Sequence, residues 1–210
     1  MKVTALRMHQ ALSIVCLLAL GGALSAEETA PAAAENPELA QLYAGDQDDR
    51  KVNMHEADWD EISKRDAERR ARVLEIVGAG QARVAADYFH AAMVFQHGQG
   101  IEDIRQARDW AKKATELASD PASKIHRRAK WLFAAATDRH LHRLGEPQIF
   151  GTQFRRETDE SPWSMEPFDR EAISPEERKA HGVPTIEQQE GRLATMNSEL
   201  EERGLLKDPE

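Results

Sequence analysis

Three groups of residues in this chain have types and spacing suited to chemistry. Gln96-His97 ends an apolar stretch that carries Val84, Tyr88, Ala91, Ala92 and Phe95 at helical spacing. Asp138-Arg139 lies within a run of Trp, Leu, Phe and Ala. Gln148, Thr152 and Gln153 follow on a glycine-containing segment. Polar groups near a core are costly unless they satisfy one another, so the three groups are expected to meet. A carboxylate beside an imidazole fixes its tautomer and raises its basicity. That gives His97 the character of a general base, with Asp138 as its orienting partner. Arg139 has the fork geometry to hold a carboxylate or phosphate. Gln96, Gln148, Thr152 and Gln153 would orient a ligand or a water.

This constellation supports three readings. In the leading one the chain is a binding or accessory protein with a polar Gln/His/Asp/Arg pocket, for an unidentified small ligand or a protein partner. In the second it is a hydrolase in which His97 activates water, since no GxSxG or cysteine motif marks a nucleophile. In the third it is an interaction scaffold without a small-molecule site. Asp138 and Arg139 would then tie their helix to the Gly-Thr-Gln segment, while Gln96 and His97 cap the helix they end. No cofactor and no metal are expected. HExxH is absent, and a zinc site from His90, His97 and Asp138 is a minor alternative. Trp59, Trp110, Trp131 and Trp163 fall at spacings that face a core.

The elements that must position these residues are mostly helical. Asn36-Pro37-Glu38 starts a first helix that runs to about Arg50. A second helix spans Asp58 to Val77, with KRDAERRAR as a solvated charged face, and Gly78-Ala79-Gly80 stops it. A third spans Gln81 to about His97. The fourth, Ile101 to Ala118, carries Ala107, Ala111 and Ala114 in one row, which implies close packing. Asp120-Pro121 opens a fifth that ends at Leu144 before Gly145. The β-type residues of 148–168, broken by the turn chemistry of 158–162, predict a small β-hairpin. Ser174-Pro175-Glu176-Glu177 and Thr185-Ile186-Glu187-Gln188 open two further helices.

Two resemblances follow. Tyr88 to Asp103, with Gly98-Gln99-Gly100-Ile101 at its turn and then Ala107, Trp110 and Lys113-Ala114, resembles one Sel1-like repeat, a relative of the tetratricopeptide repeat. It implies an αα-hairpin; a single repeat makes no solenoid. Over most of the chain, the motif order is Asp46-Gln47, Gln96-His97, Asp138-Arg139, Gly145-x-Pro147-Gln148-x-Phe150-Gly151-Thr152-Gln153-Phe154, Glu166-Pro167 and Gly182-Val183-Pro184. This order resembles the uncharacterised bacterial family labelled domain of unknown function 6624. Members often carry Tyr at the place of Phe150. The resemblance implies no reaction.

Composition sets the outer bounds. The chain has 210 residues, one cysteine and a formal net charge of −9, which excludes a disulfide scaffold and a general nucleic-acid footprint. Residues 1–26 pattern as a signal peptide: Lys2 and Arg7, an apolar run from Ala11 to Leu24, and small residues at Ala23-Leu24-Ser25-Ala26. Cleavage there would remove Cys16 and leave a more acidic, cysteine-free chain. That chain is expected to be periplasmic or secreted, without a stable membrane span. Residues 27–35 pattern as a disordered linker, and 36–210 as one mostly α-helical, irregular multi-helix domain.

Overall fold

The computed structural model describes residues 33–52 and 57–206. The signal-peptide pattern of 1–26, Cys16 included, and most of the 27–35 linker lie outside the described residues. Seven helices are described: α1 (Pro37–Asp48), α2 (Trp59–Gly78), α3 (Ala85–Phe95), α4 (Ile101–Leu117), α5 (Lys124–Leu144), α6 (Pro175–Ala180) and α7 (Ile186–Glu202). None is long and apolar enough to cross a membrane.

Local chemistry sets most of their ends. Asn36 accepts from the backbone N–H groups of Glu38 and Leu39 and so caps α1. Asp58, Ser174 and Thr185 do the same for α2, α6 and α7. Gly145, at φ 78, closes α5 in the left-handed conformation. Two starts differ from expectation. Residues 120–122 form a turn and Ser123 caps α5, because the Asp120 side chain accepts from Ala122 N–H and its carbonyl from Ser123 N–H. α3 begins at Ala85 rather than Gln81. The buried Asp87 carboxylate gathers the N–H groups of Arg83, Val84 and Asn36, and this holds 81–84 as a non-helical entry.

The core lies among α1 to α5. Leu39, Val73, Ile76, Phe89, Val94 and Leu132 are buried in it, beside Ala107, Ala111 and Ala114 of α4 and Ala129 and Ala136 of α5. α4 packs against both α3 and α5, and the alanine row is what lets it sit between them. Trp110 is buried with its ring edge-on to Phe95, 4.7 Å between centroids. Trp59 and Trp131, expected inside, are each 45% exposed. Helical spacing placed them beside the apolar stripe but at its edge.

The expected β-hairpin is not seen. Within 148–168 there are two isolated bridges, Gln148 with Phe168 and Arg155 with Ser164. The reason is local. Asp138 draws the N–H groups of Ile149, Phe150 and Thr152, all at 2.8 Å, so they cannot serve a ladder. Gln148 binds across the segment, donating to the carbonyls of Gln153 and Met165 and accepting from Gln153 N–H. Pro162 and Pro167 have no N–H to offer. Gly151 turns the chain at φ 64, where a Cβ would come within 3 Å of the Phe168 ring and Gln189 Oε1. Phe150 joins Ala134 and Val183 in a second apolar cluster, which attaches this segment to α5.

Candidate functional site

Among the described residues three aspartates are wholly buried: Asp46, Asp87 and Asp138. Their partners separate them. Asp87 accepts backbone N–H groups. Asp138 accepts three backbone N–H groups and the Thr152 hydroxyl at 2.7 Å. Both therefore fix chain direction. Asp46, in the last turns of α1, is bonded by side chains instead. Its Oδ1 meets His97 Nδ1 at 2.9 Å and Arg50 Nη1 at 3.0 Å, and its Oδ2 accepts from Gln47 Nε2 at 2.8 Å.

The carboxylate that orients His97 is thus Asp46 and not Asp138. Asp138 has its oxygens filled by the 149–152 segment, and both ring nitrogens of His97 have other partners. With Nδ1–H donated to Asp46, Nε2 is the acceptor, and Gln96 Nε2 stands 3.3 Å from it. Thr152 and Gln153 belong to the Asp138 network: Gln153 donates to Ala135 carbonyl and to the Thr152 hydroxyl. Gln148, Thr152 and Gln153 are accordingly placed away from His97. Asp138 does tie α5 to the Gly-Thr-Gln segment. Its neighbour Arg139 does not; it donates to the Gln96 carbonyl at the end of α3.

The charged stretch of α2, expected as a solvated face, is the next layer of the site. Arg50 binds Asp66 at 2.6 Å as well as Asp46. Arg69 binds Asp66 at 3.0 Å and Asp49 at 2.5 Å, and Arg65 binds Asp49 at 2.9 Å. Asp66 is buried. Three arginines and three aspartates therefore meet around the end of α1, and with Glu61 on Arg65 and Lys64 on Glu61 at the edge the network is balanced in charge.

Beside this network opens a cleft of about 210 Å³, lined among others by Arg50, Trp59, Asp66, His97, Arg139 and Arg143. Arg139 and Arg143 stand four apart on α5, on one helical face. Among the described residues neither has a carboxylate within ion-pair distance, although the half-buried Arg139 guanidinium is largely out of water. Burial, then repulsion from Arg143 and Arg50, lowers the Arg139 pKa from the usual arginine value. Gly98 forms part of the cleft wall. A Cβ there would lie 2.3 Å from the Asp103 side chain, so the turn after His97 passes that side chain as bare backbone.

Elsewhere, His90 stacks on Tyr43, with ring centroids 4.6 Å apart, and does not join His97. Among the described residues no group of three or more His, Cys, Asp or Glu is placed to hold a metal. Arg128 donates to the Tyr43 hydroxyl and lies over the Phe89 ring. Asp46, Arg50 and Arg143 were not singled out as site residues from sequence. For Asp46 the signal was its place in the Asp46-Gln47 motif; for Arg143 it was its four-residue spacing from Arg139. No family model, curated protein or solved structure matches this chain.

Proposed function

We propose that the chain is a binding protein for a small anionic molecule, held in the cleft between the end of α1, the start of α2, the 97–99 turn and α5. The observation that carries this reading is the pair of arginines, Arg139 and Arg143, whose charge no described carboxylate offsets, beside a network whose other charges balance. Arg139 keeps one N–H on the Gln96 carbonyl and has the rest of its fork for a ligand. His97, fixed by Asp46, adds a polar wall of defined tautomer, and Trp59 adds an exposed ring.

The test is calorimetric titration with acetate, succinate, inorganic phosphate and glycerol phosphate. At least one should bind, and at least tenfold more weakly in Arg143→Gln, which removes an exposed side chain without an ion-pair or hydrogen-bond partner among the described residues. Absence of binding by all four, or binding indifferent to Arg143→Gln and Arg139→Gln, overturns the reading.

A second reading rests on the Asp46–His97 pair itself. A water on the cleft side of His97 would give its proton to Nε2 as it attacks an ester carbonyl, and the imidazolium would return that proton to the alkoxide as the C–O bond of the tetrahedral intermediate breaks, making this a hydrolase. Gln96 Nε2 already meets that nitrogen, which sets the binding reading ahead. Hydrolysis of nitrophenyl esters by wild type, lost in a folded His97→Ala variant, would reverse the order.

Membership of the 6624 family is part of the same proposal. Its support is that Asp46, Gln47, Gln96, His97 and Arg139 gather at one place, and Asp138, Gln148, Thr152 and Gln153 at another. Export is proposed from the 1–26 pattern, and N-terminal sequencing of the protein from its native host tests it.

A further inference from the structure

Resting on the anion-binding reading, we infer that the ligand presents a phosphate dianion, gripped by Arg139 and Arg143 together. The argument is one of charge count and shape. The arginines Arg50, Arg65 and Arg69, together with Lys64, are offset by Asp46, Asp49, Asp66 and Glu61 within one network of ion pairs. Two positive charges then face the cleft without a counter-charge among the described residues. A single monocarboxylate would neutralise only one of them. A phosphate monoester carries about −1.5 to −2 at pH 7 on a single tetrahedral group.

Two charges on one group suit two guanidiniums one helical turn apart, whose side chains leave neighbouring points of the same face. A dicarboxylate distributes the same charge over separate groups. Guanidinium forks also match phosphate oxygens in pairs, and Ser63 and Gln99 at the cleft wall carry donors for the remaining ones. The volume, about 210 Å³, corresponds to roughly seven waters at about 30 Å³ each. It admits a phosphate with a small substituent. Trp59, 45% exposed, forms a wall against which such a substituent would lie.

The experiment is a titration of the full chain with inorganic phosphate, glycerol phosphate and succinate, followed by calorimetry and by phosphorus NMR line broadening. Phosphate or glycerol phosphate is expected to bind at least tenfold tighter than succinate. Arg139→Gln and Arg143→Gln should each weaken it tenfold or more. Arg143→Lys should restore only part of the loss, because an ammonium lacks the fork. A tenfold preference for glycerol phosphate over inorganic phosphate identifies an ester as the ligand; equal affinity identifies free phosphate. Succinate binding more tightly at the same two arginines overturns the phosphate assignment and leaves the anion-binding reading standing. No binding of any of the three, nor of acetate, overturns both. Because Arg139 also caps α3, the variant at exposed Arg143 keeps the outcome readable if Arg139→Gln fails to fold.

Discussion

Asp138, buried on α5, and His97, in the turn after α3, are both hydrogen-bonded polar residues, yet their removal should have unequal cost. Asp138 accepts four hydrogen bonds that hold 149–152 in place. Asp138→Ala leaves buried N–H groups without partners and is expected to cost about 2–4 kcal/mol. His97→Ala leaves Asp46 still bonded to Arg50 and Gln47 and should cost about 1 kcal/mol. Urea unfolding of the two variants checks the ratio, and an equal loss would contradict it. His90 makes a separate prediction. Burial pushes its pKa below the ordinary value of 6.5, against the pull of Glu35. Below about pH 6.5 the unfolded chain therefore takes up a proton that the folded chain refuses. Stability should be level above that pH and decline as pH falls below it, until the folded pKa is reached. His140 and His142, also lowered by burial, add to the same slope. His90→Phe should flatten the dependence of the melting midpoint between pH 7 and 5; an unchanged slope would show that His90 does not titrate this way. At this scale the sequence was informative about residue type and uninformative about pairing. Asp46 and His97 are 51 positions apart, and the Asp46-Gln47 motif marks Asp46 without saying that it, rather than Asp138, completes the imidazole's surroundings.

Helices were legible where their ends obey nearest-neighbour chemistry. Asn36, Ser174, Thr185 and Gly145 stop or start them by bonds within a few residues, and each was readable without the fold. The alanine row of α4 was readable for the same reason: Ala107, Ala111 and Ala114 share a face and all are fully buried between α3 and α5. Ala111→Leu adds methylenes where no space exists and should cost about 1–3 kcal/mol, seen as a lower urea midpoint at unchanged slope. The hairpin was misread because β-type side chains report burial as well as strand. Phe150 is buried against Val183, while the main chain around it bonds to a carboxylate on α5 instead of a neighbouring strand. The charged stretch of α2 misleads in the opposite way. Arg65, Asp66 and Arg69 look solvated in their own helix, and their partners, Asp49 and Arg50, lie in the residues that follow α1.

Taken as a whole the molecule is acidic, with a formal net charge of −9, while Arg139 and Arg143, two arginines without an ion pair among the described residues, line one cleft. The distant carboxylates oppose the approach of an anion, and the cleft attracts it at short range. Salt screens both, but the short-range contacts dominate once the ligand is seated. Raising sodium chloride from about 0.05 to about 0.5 M, over which the Debye length falls from above 10 Å toward 4 Å, should weaken anion binding several-fold. The exposed Arg143 contributes more to that loss than half-buried Arg139, so Arg143→Gln should leave a shallower salt dependence. A steeper one would place the responsible charges elsewhere.

Asp138 and Arg139 are consecutive on α5, and their side chains leave the helix about 100° apart. One reaches the 149–152 segment and the other the carbonyl that ends α3. The helix thereby acts as a keyed shaft with two teeth cut at a fixed angle. Deleting a single residue between Ser123 and Asp138 would turn both teeth by that same angle and free the cleft wall and the C-terminal segment in one event. A deletion within 157–161, beyond both, would do neither. Along any lineage of this chain, α5 should therefore tolerate exchange of its letters far more readily than any change in their number.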